Sequence, residues 1–193
     1  KVVLGGPGVN GLGREILERF PEVDVVVSGE GELPLLQLME RFRSGRGAEG
    51  VPGTAVRTRS GVTGTPPPPR IDPLDQLPFP AYHKVDLAEY TARTEWERIP
   101  LAVLSARGCP FRCTFCDIPG IWSAGVRYRS VANVMAEVAL LKERYEIDRF
   151  HVTDDTFVMD RERVLAFCQA MEERGWGLRW SCLGRVDRMD EEI

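Results

Sequence analysis

Three cysteines fall within eight residues, Cys109-Pro110-Phe111-Arg112-Cys113-Thr114-Phe115-Cys116, spaced C-x3-C-x2-C. They follow an apolar run, Leu101 to Leu104, and the turn Ser105-Ala106-Arg107-Gly108. Thiolates at this spacing can converge on one metal centre, because a tight loop carries all three sulfurs to one side. A four-iron iron–sulfur cluster needs four ligands, usually four cysteines. A loop with three leaves one iron open to a non-protein ligand, as a catalytic metal site requires and a structural one avoids. Two other readings use the same residues. A structural zinc site needs a fourth ligand, and the candidates His83, His151, Cys168 and Cys182 stand in no C-x2-C or H-x3-H pattern. A disulfide framework fits poorly with five cysteines, an odd number, and no secretion signal.

Two alternations of strand and helix flank this loop. In the first, Lys1 to Leu4 reads as a strand, about Gly13 to Phe20 as a helix, and Val23 to Val27 as a buried strand. Ser28-Gly29-Glu30-Gly31 is then a turn, and Leu33 to Phe42 an amphipathic helix with Leu35, Leu36, Leu38, Met39 and Phe42 apolar. A β-α-β-α order implies a parallel sheet with right-handed crossovers. Its glycine-rich loops then lie at the carboxyl ends of the strands, where open α/β sheets bind ligands. Gly6-Pro7-Gly8-Val9-Asn10-Gly11 formally matches the nicotinamide fingerprint G-x-G-x-x-G, with Glu30 as the ribose-binding acid; the same glycines also suit plain tight turns.

Residues 49–98 change character. Val51 to Arg57 reads as a strand of an excursion hairpin turning at Ser60-Gly61, and Pro66 to Pro69 resists both helix and sheet. The stretch reads as an interdomain connector held down by Leu74, Leu77 and Phe79, with His83 a linker histidine. From Ile99 a second alternation begins: a strand from Leu101 to Ala106, a helix capped by Ser130 and running to about Tyr145, and a strand from Arg149 to Thr153 ending in Asp154-Asp155. A helix capped by Asp160 and stopped by Gly175 leads to a strand from Leu178 to Leu183, then Gly184-Arg185. This is the opening of a β/α barrel, with chemistry expected at the carboxyl ends of the strands. Cys168 and Cys182 read as packed core thiols, His151 as a core histidine, and Trp122, Tyr128 and Arg129 as walls of the site or core packing. Arg112, inside the loop, either tunes a bound cluster or faces water.

The stretch RGCPFRCTFC resembles the cluster-binding loop of the radical S-adenosylmethionine (SAM) enzymes. The resemblance implies that Cys109, Cys113 and Cys116 hold a 4Fe–4S cluster, with SAM on the fourth iron and Phe115 beside its adenine. HVTDDTF resembles a stretch of the cobalamin-dependent branch of that family, LDQLPFPAY its connector, and KVVLGGPG with VDVVVSGEGE the last strands of its cobalamin-binding domain. On that resemblance Asp154, Asp155 and Arg185 contact SAM, with the strand-two acids an alternative partner for Arg185. Gly5, Gly6, Ser28, Gly29 and Glu30 meet the nucleotide tail of cobalamin. The cobalt-ligating pattern D-x-H-x-x-G of such domains is absent from these 193 residues.

The expected fold is therefore α/β: the C-terminal part of a flavodoxin-like (Rossmann-type) cobalamin-binding domain over 1–48, a proline-rich connector over 49–98, and the N-terminal half of a radical SAM (β/α) partial barrel over 99–193. The resemblance implies a methyltransferase acting on an unactivated carbon of a small molecule, served by a reductant such as flavodoxin or ferredoxin. An iron–sulfur electron-transfer or structural module is the other reading. A net charge of −4 argues against a surface for nucleic-acid phosphate, no apolar run approaches the ~20 residues of a membrane span, and unpaired cysteines point to a reducing cytoplasm. Lys1 opens inside a strand, and Glu191 to Ile193 stops where a further helix is expected, so the chain reads as a piece of a longer protein.

Overall fold

The computed structural model describes residues 1–90, 101–122, 125–191 and 193. The chain divides into two compact units, Lys1–Ile71 with Gly120–Trp122, and Asp72–Pro119 with Ser123–Ile193.

In the first unit β1 (Val3–Leu4) leads through α1 (Gly13–Arg19) to β2 (Val25–Val27), which pairs with β1 in parallel. The expected alternation stops there. After α2 (Glu32–Arg43) the hairpin β3 (Thr54–Thr58) and β4 (Gly61–Gly64) joins the sheet antiparallel, in the order β1-β2-β3-β4. The hairpin is thus part of this unit's sheet and no excursion from it, and the boundary expected at residue 48 moves to Ile71. Two contacts hold it there. Gly13 approaches Ala55 so closely that a Cβ at Gly13 would lie 2.8 Å from the Ala55 Cβ. From β3, the Arg57 guanidinium donates to the carbonyl of Leu17 at 2.5 Å, an orphan acceptor at the end of α1, and to that of Phe20 at 3.0 Å. The proline run also packs on this unit. Gly53 has φ +75°, and a Cβ there would meet Pro68 Cδ at 2.6 Å. On α2 only Pro34 and Leu38 are buried, while Leu33, Leu35, Leu36 and Met39 are exposed.

The second unit opens with the residues expected to link the domains. Leu74 is buried and Asp75 Oδ1 accepts from the Ser130 amide at 2.8 Å. Phe79 lies under the Arg129 guanidinium, 5.5 Å from ring centroid to Cζ. Tyr82 donates its hydroxyl to Glu137 Oε1 at 2.5 Å, and Glu137 also pairs with Arg129. Residues 72–90, including the short α3 (Leu87–Tyr90), therefore belong to this unit. The rest of the expected connector, 91–98, and the first two residues of the expected second alternation, Ile99 and Pro100, lie outside the described residues, as does Glu192 of the expected terminal helix.

Three parallel strands follow, β5 (Leu101–Val103), β8 (Arg149–Val152) and β9 (Arg179–Cys182), in the order β5-β8-β9. Between β5 and β8 come β6 (Ala106–Arg107), α4 (Ile118–Trp122), β7 (Arg127–Tyr128) and α5 (Val131–Tyr145). α6 (Arg161–Arg174) connects β8 to β9. The caps are the expected ones: Ser130 Oγ and Asp160 Oδ1 each accept from the amide three residues on, at 3.1 Å, and Gly175 ends α6 at φ +58°. Val134, Val138 and Leu141 of α5, with Val164 and Phe167 of α6, bury against Leu101, Val103, Phe150 and Val152. Phe150, Phe157, Phe167 and Trp180 stack edge-on or face-on within this core. Each such large side chain contributes roughly 1.5–3 kcal/mol through burial.

Glu137 is 1% exposed on its side chain and its ion-pair partner Arg129 is 11% exposed. Replacing Glu137 by Ala leaves the buried Arg129 charge without its counter-ion and the buried Tyr82 hydroxyl without its acceptor, and unfolding in urea should show a loss of about 3–5 kcal/mol. Glu137→Gln keeps an acceptor for Tyr82 and should lose less.

Candidate active site

The strand expected from Leu101 to Ala106 is interrupted, and the interruption builds the root of the cysteine loop. Asp154, at the end of β8, accepts from the Ser105 amide at 2.6 Å, the Ser105 hydroxyl at 2.5 Å and the Ala106 amide at 2.8 Å. These amides are thereby taken out of the sheet ladder, and the chain turns after β5. The loop is closed at its base by antiparallel pairing of Ala106 with Tyr128 and Arg107 with Arg127. Arg163 of α6 lies 5.0 Å from the Tyr128 ring centroid and donates to the Ser105 carbonyl at 3.0 Å. Asp155 accepts from the Gly108 amide at 3.1 Å, and Gly108 has φ +96° at the start of the cysteine segment.

The two aspartates thus have different tasks. Asp154 is 1% exposed and occupied by three donors, so the expected contact with SAM gives way to a buttress between β8 and the loop root. Burial pushes its carboxyl above the ordinary range, against the lowering pull of the Ser105 and Ala106 donors and of Arg163. Asp155 is half-buried; burial raises its carboxyl, the Gly108 amide lowers it and Asp154 raises it.

Cys109 and Cys113 are half-buried, Cys116 is exposed, and all three thiols are free. The Cys116 amide donates to the Cys113 carbonyl at 3.0 Å, so the C-x2-C segment is a turn. Phe115, between the last two cysteines, is 91% exposed. Among the described residues no three metal-ligating side chains are drawn to one point, so the convergence expected from the spacing is not present in the loop as it stands. The donor set nonetheless fits an iron–sulfur cluster in kind: three unpaired thiols on one accessible loop, with a guanidinium at one sulfur. That guanidinium is Arg185, after β9, whose Nη1 lies 3.7 Å from Cys113 Sγ. Arg185 is clamped by Asp187 rather than by the strand-two acids. Arg112 is exposed. Cys168 and Cys182 pack against the second core, and burial pushes both thiols up. His151 is not a core residue: on β8 it alternates with the buried Phe150 and Val152, and its Nδ1 lies 2.8 Å from Ser181 Oγ.

In the first unit a cleft of about 440 Å³ opens at the carboxyl ends of β1 and β2. Gly5, Gly6, Gly29 and Glu30 line it together, with Asn10, Leu35, Ile121 and Trp122 among the other walls. Ser28 is not in the lining; its amide donates to the Gly53 carbonyl at 2.8 Å and ties the turn to the hairpin. Gly6 and Gly29 take φ +100° and +80°, which L side chains rarely adopt. The nicotinamide reading meets two obstacles. The fingerprint is followed by a helix only at Gly13, with Pro7–Val9 in a 3₁₀ turn, and the Glu30 carboxylate is buried against the Ile71 amide at 3.4 Å. Sequence reasoning missed Asn10, whose side chain accepts from the Gly29 amide at 3.1 Å and donates to the Gly120 carbonyl at 3.0 Å. Its signal was a lone amide side chain in a glycine-rich loop.

Asp154→Ala strands two buried amides and should cost about 2–5 kcal/mol in denaturant unfolding. Asp154→Asn retains an acceptor for both and a donor for the Ser105 hydroxyl. With the folded pKa raised, the stability that protonated Asp154 contributes is complete below the unfolded value of about 3.9. It is lost as pH rises through the folded value. Asp154→Asn should therefore gain on the wild type as pH is raised out of that acid range, read from unfolding curves at paired pH values.

Residues 103–193 match the radical SAM superfamily. Over all 193 residues the chain is 31% identical to an uncharacterized methyltransferase of Pyrococcus horikoshii, covering 100% of this chain and 41% of that protein. It is similar to the radical SAM methyltransferase TsrM of Kitasatospora setae, solved with its tryptophan substrate and a SAM analogue. That match has 25% identity and a TM-score of 0.63, over 90% of this chain and 33% of TsrM. It also shares its fold with the cobalamin-dependent SAM radical enzyme OxsB, solved with aqua-cobalamin and SAM. The OxsB match has 17% identity and a TM-score of 0.77, over 99% of this chain and 27% of OxsB. The cysteine loop on its buttressed root lies inside the span that matches the radical SAM superfamily, and the chain spans about two fifths or less of the length of these relatives.

Proposed function

We propose that this chain is part of a cobalamin-dependent radical SAM methyltransferase acting on a small molecule. The observation that carries the reading is a loop of three free thiols rooted at the carboxyl ends of parallel strands, in a chain similar along its whole length to a methyltransferase and sharing its fold with a cobalamin-dependent SAM radical enzyme. Cys109, Cys113 and Cys116 would hold a 4Fe–4S cluster. When bound, the cluster and SAM would supply radical chemistry able to remove a hydrogen atom from the substrate, and cobalamin would supply the methyl group. The chain's own residues bind and orient. The exposed Phe115 ring offers a flat apolar face for the SAM adenine. Asp155, half-buried beside Gly108, is the aspartate of the pair with carboxylate capacity left for the SAM ammonium. Arg185 stands at the loop with a fixed positive charge.

Residues 1–71 form the C-terminal part of a flavodoxin-like cobalamin-binding domain in this reading. Gly5, Gly6 and Gly29 leave bare backbone in the cleft where the nucleotide tail of cobalamin would enter, and Glu30 and Ser28 fix the turn beneath it. The electron-transfer reading needs a fourth cysteine, and the two remaining, Cys168 and Cys182, are packed against the core. Free thiols suit a reducing cytoplasm with a flavodoxin- or ferredoxin-type reductant. Among the described residues no helix is long and apolar enough to cross a membrane.

Anaerobic reconstitution of the full-length protein with iron and sulfide tests this. About four irons per chain are expected, with deoxyadenosine formed from SAM on reduction and none formed by Cys113→Ala. Zinc in place of iron, or a loaded cluster that never cleaves SAM, would sink the reading. Gly6→Val puts a branched side chain at φ +100° in the cleft and should weaken cobalamin binding at least tenfold, about 1.4 kcal/mol, with iron content unchanged.

A further inference from the structure

One side chain joins the end of the third parallel strand to the cysteine loop. Arg185 follows β9, and its guanidinium carbon lies 3.8 Å from the Phe111 ring centroid. Its Nε and Nη2 take the two oxygens of Asp187 at 2.9 and 3.0 Å. The third edge of the fork, Nη1, lies 3.7 Å from Cys113 Sγ. Arg188 stands over the same Phe111 ring at 5.6 Å. A planar guanidinium held by a carboxylate on one edge and an aromatic ring on its face has little rotational freedom left, so Nη1 is aimed at the sulfur.

We propose that Arg185 is a positioning residue for the metal centre. It donates Nη1–H to the Cys113 thiolate and, through Phe111, holds the loop against the end of β9, and so makes the bound cluster easier to reduce. The inference rests on the proposed function and deepens it. Reduction adds one electron to the cluster, supplied by an external low-potential donor, and requires no proton from Arg185, which stays charged at every working pH. Hydrogen bonds to cluster sulfurs and a fixed nearby cation favour the more negative, reduced state. The guanidinium is thereby assigned to the cysteine ligand rather than to the SAM carboxylate, because Asp187 occupies the paired donors that a bidentate carboxylate would need.

The test compares full-length wild type, Arg185→Gln and Arg185→Lys, each reconstituted anaerobically and checked for equal iron. The cluster is titrated with a chemical reductant in the absence of SAM and substrate, and the reduced form is counted by electron paramagnetic resonance. At the wild-type midpoint, Arg185→Gln should lower the ratio of reduced to oxidised cluster about tenfold, equivalent to 59 mV for a one-electron couple. Arg185→Lys, with charge but no fork, should recover part of it. In the metal-free proteins, amide exchange over residues 109–116 should be faster in Arg185→Gln, a readout independent of the cluster. If Arg185→Gln loads poorly, the Arg185→Lys midpoint decides, an unchanged value overturning the proposal. Equal midpoints at equal iron would also overturn it, as would a loss confined to SAM affinity, which returns Arg185 to the SAM carboxylate. A wild-type protein that takes up no iron fails the proposed function first, and the two failures are told apart by the iron count.

Discussion

The Asp154 carboxylate is the interaction on which the second unit's site depends. A strand that turns away from its sheet leaves amides without ladder partners, and a buried amide left unpaired costs about as much as several good contacts contribute. Asp154 takes two such amides and a hydroxyl at once. It thereby fixes where β5 stops and the direction in which the cysteine segment leaves. The cost is a buried acid whose ionised form is penalised by desolvation, and Arg163 lies near enough to offset part of that. Arg163 also donates to the Ser105 carbonyl, so the loop root is gripped from β8 and from α6. A rigid root is what a site of this kind requires, since ligands on a loop are only as well placed as the elements beneath it.

Much of this was legible in the sequence where local chemistry decides local structure. Ser130, Asp160 and Gly175 could be read as helix ends because capping depends on one side chain or one backbone angle. The parallel order of the second unit followed from alternating strand and helix, as connections of that length permit little else. The thiols stood out because three cysteines at that spacing are rare outside metal sites. Their convergence was not legible, since spacing permits a common centre without imposing one.

The misreadings share one cause: long-range partners overrode local character. The hairpin at Thr54–Gly64 lay in a proline- and glycine-rich stretch and read as a connector, yet Ala55 against Gly13 and Arg57 on the end of α1 fasten it to the first sheet. Tyr82 looked like a linker residue until its hydroxyl met Glu137, fifty-five positions on. Asp154 and Asp155, adjacent and chemically identical, were read alike. Both lie beyond the end of β8, where the Ser105–Ala106 turn closes over the first and the Gly108 amide meets the second, so one became a buried buttress and the other kept a half-open carboxylate.

Each unit uses the same physical arrangement for a different chemical end. Parallel strands end together, and their loops collect on one edge where backbone amides face outward. In the first unit Gly5, Gly6 and Gly29 leave bare backbone along part of that edge, within a cleft otherwise walled largely by apolar side chains such as Leu35, Ile121 and Trp122. In the second unit it is furnished with thiols, a carboxylate and a guanidinium. A partly bare, apolar edge suits a large ligand bound by contact area, because each missing Cβ widens the approach. A furnished edge suits bonding to a small centre, because thiols and charges act over a few ångströms. Phe115 belongs to the second edge yet offers only area, at 91% exposure. Carrying so much apolar surface into water is unfavourable for the loop by itself, at roughly 25 cal/mol per Å². That surface is therefore available to a flat partner, and its burial would add binding energy beside the thiols without any new charge.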